Sequence, residues 1–493
     1  MLHREQIQVD GVEQVDPSEA LLEAGLEVGS AYYPPRVVEA REHLFSALLN
    51  RGYQQAAVDV GSQLDETGTR ASLTFEIHEG TQTFVDQVIV SGLEVTREDA
   101  LRQQVAVSPK EPLSADGLLE TRQRLVGTGL FRDVSVEALP LDASNESSDV
   151  LIRVEEGPRT TFGYGVGYNE LDLARVDGEL TRRNMFGRNR TASIFARASV
   201  KGGRFVLTYR QPEFVGLDVP VFVSAIFEQG ERPSFHFIQK SLGFQVTKKQ
   251  SEKRTYFFRY NFQQTRVFRL EIDPEELPRE FRNIRLSTVS ASQVTDTRDD
   301  SINPTNGQFR LLNLELSAKF LGTKSPYLKG LAQQFFYFPL PHRLVGVIGL
   351  RLGIGQTFRE DRDALMPITE RFFAGGANTL RGFGLDEASP KDAEGNPVGG
   401  NVLTLLNLEL RFPIAGNLGG VLFSDNGTVY RRLSVIEPLS WRYNVGFGFR
   451  YETPLGPLRV DMGFKLDRRL TTSEEGLVRE PLSRIHVSLG HAF

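Results

Sequence analysis

Residues 162–168 read Phe-Gly-Tyr-Gly-Val-Gly-Tyr. In an extended chain successive side chains point to opposite faces. Phe162, Tyr164, Val166 and Tyr168 therefore share one bulky apolar face, and Gly163, Gly165 and Gly167 share a bare one. The alternation recurs over 219–227, 255–262, 309–320, 333–338, 345–355, 402–412, 443–451 and 485–493, between clusters of Gly, Pro, Asn and Asp. In Leu207-Thr-Tyr-Arg210 and Phe257-Phe-Arg-Tyr-Asn-Phe262 bulky apolar residues alternate with Arg or Asn, as expected for lipid outside and water inside. About sixteen such strands fit after residue 159, which predicts a transmembrane antiparallel β-barrel over 159–493. A soluble sandwich or propeller is the competing reading. The polar inner face and the terminal Phe493 weigh against it.

Composition narrows the choice. The chain has 493 residues, 46 Gly, 34 Phe, one Trp and no Cys, with a mean hydropathy of −0.26. No run of about 18 apolar residues exists, so a spanning helix is excluded. The stretch 344–350 is the longest, and Arg351 stops it. Without cysteine there is no disulfide scaffold, thiol nucleophile or cysteine-ligated metal. The seven His are scattered without metal-ligand spacing, Gly-x-Ser-x-Gly is absent, and Gly163-x-Gly165-x-Gly167 lacks the spacing of a dinucleotide loop. No enzymatic site, cofactor or metal is expected. The net charge of −6 hides an asymmetry. Residues 1–158 hold 28 acidic and 12 basic side chains, a balance of −16, against +10 for the remainder. The front half lacks the clustered cations that nucleic acid requires, and those of the rear are dispersed.

The front half repeats itself at a spacing of about 80 residues. Each copy opens on a strand, 7–11 and 88–92, followed by a capped short helix at Asp16-Pro-Ser-Glu19 and Thr96-Arg-Glu-Asp99. A longer helix is predicted over about 35–50 and 114–128, the second burying Leu118, Leu119, Leu125 and Val126. Gly52 and Gly129 end these helices, and two strands then close on Glu79-Gly80 and Glu156-Gly157. The order is β-α-α-β-β in both, over 1–80 and 81–158.

That order, the run Gly129-Leu-Phe-Arg-Asp-Val134 and the closing Glu-Gly resemble the POTRA domain. The connection 357–401 contains Phe372-Phe-Ala-Gly-Gly, then Leu380-Arg381-Gly382-Phe383, then Pro397-Val-Gly-Gly400. It resembles the sixth extracellular loop of the BamA/TamA superfamily, which folds into the lumen. Phe423-Ser-Asp425-Asn-Gly427 resembles the family's wall motif, and the resemblance implies that Arg381 pairs with Asp425 there. Asp296-Thr-Arg-Asp299 with Pro304-Thr-Asn-Gly307, and Pro454-Leu-Gly-Pro457, resemble two further family turns. Both a BamA-like and a TamA-like role fit these motifs. Two repeats stand where TamA has three and BamA commonly five, and no targeting segment follows Met1, so an upstream segment is expected.

The resemblance implies an outer-membrane insertase with periplasmic POTRA domains. Its expected partners are unfolded outer-membrane clients, outer-membrane lipid, and accessory lipoproteins or an inner-membrane partner at the POTRA domains, with no nucleic acid. Glycine offers a strand no side chain to pack. A weak lateral seam is therefore predicted between 162–169 and 485–493, marked by Gly163, Gly165, Gly167, Gly490 and Phe493. The alternative is a polypeptide translocation pore of the two-partner secretion type. Such pores carry an N-terminal plug helix, and nothing before Ile7 is expected to serve as one.

Overall fold

The computed structural model describes residues 3–11, 33–64, 70–139, 146–214, 216–217, 219–273, 277, 282–358, 364–437, 440–453, 456–473 and 476–489. The chain forms two compact units, one of residues 1–159 with 183–190, the other of residues 160–182 with 191–493.

The first unit holds two small α+β modules. In one, β1 (His3–Asp10), α1 (Pro34–Asn50), β2 (Ala57–Leu64) and β3 (Arg70–His78) form a sheet of order β1-β3-β2, β1 running parallel to β3. The other repeats this with β4 (Phe84–Ser91), the short α2 (Glu98–Arg102), α3 (Ala115–Gly127), β5 (Phe131–Ala138) and β6 (Ser147–Glu156), in the order β4-β6-β5. Helix α1 buries Val37, Ala40, Leu44 and Leu48, spaced three and four residues apart, against Leu73, Phe75 and Ile77 of β3. Gly52 and Gly129 turn the chain with φ of +92° and +65°, as the helix-ending glycines require. Asn50 bridges the repeats: its Oδ1 accepts from the Asp116 amide at 2.7 Å, beside the Ser114 cap of α3.

Two local expectations fail here. Leu119 and Val126 are exposed, and α3 instead buries Thr121 and Leu125, with Leu118 partly covered. The Thr121 hydroxyl satisfies itself on the Gly117 carbonyl at 2.7 Å, so it can occupy an apolar face. The expected capping box at Thr96 does not form, because α2 starts at Glu98 with Arg97 as its uncapped N-cap. The Thr96 amide donates instead to Glu156 Oε1 at 2.6 Å, as do the amides of Glu94 and Val95. The corresponding first-copy segment, 16–19, lies outside the described residues.

The second unit is a closed antiparallel barrel of sixteen strands. Its members are β7 (Thr160–Asn169), β8 (Leu173–Met185), β9 (Arg190–Ser199), β10 (Gly202–Gln211), β11 (Val221–Arg232), β12 (Phe235–Ser251), β13 (Arg254–Phe268), β14 (Asn283–Asp296), β15 (Gly307–Ser317) and β16 (Tyr327–Leu340). They continue with β17 (Leu344–Thr357), β18 (Val402–Ala415), β19 (Leu418–Tyr430), β20 (Arg442–Thr453) and β21 (Gly456–Lys465). After a separate hairpin of β22 (Leu470–Ser473) and β23 (Gly476–Arg479), β24 (Ser483–Leu489) closes the ring against β7. Outward side chains are apolar and exposed, such as Phe258, Tyr260 and Phe262 on β13. Inward ones are polar and bond each other, as Arg259 does with Gln245 at 3.0 Å. The strand expected over 309–320 stops at Ser317, where residues 319–321 make a single helical turn before Gly322 at φ +87°.

Candidate functional site

Much of the described part of the loop between β17 and β18 is buried. Phe372 and Gly400 exchange both backbone hydrogen bonds at its base, at 2.8 and 3.0 Å. Arg371 ties that base by donating to the carbonyls of Met366 and Val398. Met366, Phe372, Ala374, Leu380, Phe383 and Ala388 then pack on wall residues Ile284, Leu286, Leu403, Leu405 and Val429. The loop thus packs on residues of β14, β18 and β19.

Its tip carries the predicted residues. Arg381 donates to Asp425 on β19 through Nε at 2.8 Å, Nη2 at 2.7 Å and its backbone amide at 3.0 Å. Nη1 reaches Glu409 on β18 at 2.7 Å. The guanidinium carbon lies 3.6 Å from the centre of the Phe423 ring, so the planar group is bonded at its edge and stacked on its face. Burial alone pushes the Arg381 guanidinium down, and the carboxylates of Asp425 and Glu409 more than offset this, leaving it above its ordinary value. Gly382 is forced: a Cβ there would stand 2.6 Å from that of Asn444 on β20. Gly427 has φ of +149°, and a Cβ would meet the Thr404 carbonyl. Phe383 is fully buried, with the Arg442 guanidinium and the Lys465 ammonium 4.5 and 4.7 Å from its ring centre. Six predicted residues therefore converge on one locus.

Sequence reasoning missed the residues that complete it. Asn407 Nδ2 donates to Asp425 at 2.8 Å and to the Thr379 carbonyl at 2.7 Å. Arg351 donates to the Asn378 carbonyl at 2.6 Å. Asn444 Nδ2 donates to the Asp425 backbone carbonyl at 2.9 Å. On β24, His486 touches the Arg381 carbonyl, and its other ring nitrogen meets Glu170 from the turn after β7. Burial pushes the Glu170 carboxyl up, and the hydrogen bond and charge of His486 outweigh that, holding it below the usual carboxylate range. Each missed strand residue is a polar group between two outward apolar ones, as in Tyr443-Asn-Val445 and Ile485-His-Val487. That signal marks an inward side chain without saying what it meets.

The seam residues are placed differently. Gly163, Gly165 and Gly167 lie on β7 and face Glu179, Asp177 and Arg175 of β8, while Phe162 and Tyr164 project outward. The glycines do not thin the β7–β8 ladder, which has ten register pairs. The other edge of β7 is different: one pair, Leu489 with Tyr168, joins it to β24 among the described residues. Gly490 and Phe493 lie outside the described residues.

With this geometry established, similarity to known proteins is decisive. The Omp85 superfamily domain matches residues 184–493, and the surface antigen variable number repeat, POTRA, matches 4–80 and 83–157. The chain belongs to the Omp85 superfamily. An Omp85 relative, the outer membrane protein assembly factor BamA of Nitratidesulfovibrio vulgaris (strain Hildenborough), is 25% identical over 450 residues, covering 88% of this chain and 55% of that protein. This Omp85 chain thus spans about half the length of that relative. The crystal structure of BamA from Haemophilus ducreyi lacking POTRA domains 1–3 matches with a TM-score of 0.80 at 17% identity, over 99% of both chains. CdiB from Acinetobacter baumannii matches less well, with a TM-score of 0.51 at 12% identity, over 99% of this chain and 90% of that one. Its family and apolar outer wall make this Omp85 chain an outer-membrane barrel with periplasmic POTRA repeats.

Proposed function

We propose that this chain is an insertase that receives unfolded barrel proteins on its POTRA sheets and releases them into the outer membrane through the β7–β24 seam. Three observations support this reading, and the decisive one is the unequal edges of β7 among the described residues, with ten backbone pairs to β8 and one to β24. A strand in hydrocarbon must have every backbone group paired. An under-paired edge is therefore a template, on which a client strand can complete its own ladder before it meets lipid. The outward ladder Phe162, Tyr164, Val166 and Tyr168 keeps that edge in the membrane. The Arg381 locus reaches Glu409 on β18, Asp425 on β19 and the His486 ring on β24, so those strands are held from inside and the β7 edge is the place to part. We place the POTRA domains at 1–80 and 81–158 and the barrel at 159–493. Strands β1, β2, β4 and β5 end their sheets in a 3-stranded order, which leaves edges for clients, accessory lipoproteins or an inner-membrane partner. No nucleotide or metal is required, because burial of the client's apolar surface drives the transfer.

The test is reconstitution. Vesicles of outer-membrane lipid carrying this protein are given a urea-denatured client barrel, and folding is followed by heat-modifiable gel mobility. Faster folding than in empty vesicles is expected, and equal rates overturn the proposal. Client polypeptide delivered into the vesicle interior without folding would support the secretion pore instead.

A further inference from the structure

Among the described residues the junction between β24 and β7 has one backbone register pair, and side chains add to it. His486 points inward from β24 and is 2% exposed. Its Nε2 lies 2.9 Å from the Arg381 carbonyl oxygen of the inner loop. Its Nδ1 lies 3.1 Å from Oε2 of Glu170, in the turn that follows β7. The same oxygen accepts from the Ala377 amide of the inner loop at 3.3 Å. The Glu170 backbone carbonyl is held by Lys201 at 3.2 Å.

Both groups facing the ring are pure acceptors, a peptide carbonyl and a carboxylate. A neutral imidazole has one N–H and can donate to only one of them, whereas an imidazolium donates to both. We infer that His486, with both ring nitrogens on acceptors, is the positioning residue of the seam, a clasp that ties the last strand to the first hairpin and the inner loop. Losing the ring or its Glu170 partner frees that end of the seam. The inference rests on the insertase reading of that seam.

The charges around the ring are mixed. Glu170 faces it from the first turn, and Asp461 stands at the opposing register position on β21, where it is paired with Arg450 and Arg459. Arg484 lies on the same strand as His486, and a Cβ on Gly384 of the inner loop would be 3.2 Å from its guanidinium. Lys465 on β21 is occupied by Glu387 at 2.6 Å, and the Arg381 guanidinium by Asp425 and Glu409. The acid that contacts the ring, Glu170, makes no ion pair with a lysine or arginine within 4 Å among the described residues.

The chain has no cysteine, so Tyr168→Cys with Leu489→Cys gives two unique spin-label sites at a register pair of the seam. Electron–electron distances in vesicles, with no client present, report the closed fraction. In the parent the seam is expected to be mostly closed, with a closed-to-open ratio about tenfold above that of variants lacking either partner, the effect of losing one charge-assisted bond. His486→Ala and Glu170→Ala should be mostly open, and Glu170→Gln, whose amide oxygen still accepts, should recover part of the closure. Heat-modifiable mobility identifies folded variants, and Glu170→Ala, in a turn, serves if His486→Ala does not fold. A seam that stays closed in His486→Ala and Glu170→Ala, or a Glu170→Gln variant as open as Glu170→Ala, overturns the clasp. Because no client takes part, that failure is distinct from a failure of vesicle insertion.

Discussion

Removing Arg381 isolates the energetics of the inner locus. Arg381→Ala deletes a guanidinium that is 3% exposed and joins two carboxylates, Asp425 at 2.7 Å and Glu409 at 2.7 Å. Breaking a buried ion pair at one partner costs about 3–5 kcal/mol, because the other charge is left uncompensated. Here the loss is cushioned. Asp425 keeps the residue-381 amide and Asn407 Nδ2 as donors, and Glu409 keeps Arg411 at 2.9 Å. About 3 kcal/mol is therefore expected for Arg381→Ala. Asp425→Ala should cost more, about 4 kcal/mol, because it leaves a buried cation with Glu409 alone and takes one of two acceptors from the Asn407 amide. The double variant should fall short of the sum by about 2 kcal/mol, since both singles break the same bonds. Reversible urea unfolding in lipid measures all three. Single-variant losses below about 0.5 kcal/mol with strictly additive effects would refute the reasoning.

Other substitutions probe separate links. Gly382→Ala should cost about 1–3 kcal/mol in the same titration, because its Cβ would sit 2.6 Å from that of Asn444. Leu44→Ala, in the first POTRA core, should lower the stability of the first unit by about 2–5 kcal/mol while the barrel's heat-modifiable mobility stays unchanged. Asp299, in the turn between β14 and β15, is held down to about 2 by its hydrogen bond from Thr305, against some burial, and by the amides of Asn306, Thr305 and Asp300. A depressed carboxyl stabilises above its unfolded value and loses that contribution as pH falls toward about 2. Amide exchange at Thr305 and Asn306 should therefore gain protection from Asp299 at pH 5 and lose it below about pH 2, with Asp299→Asn flat across the range.

Much of this molecule is legible in its sequence because its rules are local. Period-two alternation marks the barrel wall, and the helix ends at Gly52 and Gly129 follow from a left-handed turn. Thr96 shows where locality stops: Glu156, sixty residues away, takes its amide, and the expected cap loses its donor. Leu119 and Val126 fit helical spacing but not the face that meets the sheet, since Thr121 can be buried once its hydroxyl bonds Gly117. Arg381 and Asp425 could be paired only through family resemblance. Their partners Glu409 and Asn407 on β18 and Asn444 on β20 come from strands whose registers are set by closing the ring. His486 and Glu170 are 316 residues apart, and no spacing rule joins them.

The central claim is that the seam must part for a client to enter. Locking it with a disulfide between Tyr168→Cys and Leu489→Cys, in a chain with no other cysteine, tests this in the vesicle assay. Loss of client folding in the oxidised form, restored on reduction, is the expected result. Equal folding rates in the locked and reduced forms would contradict it.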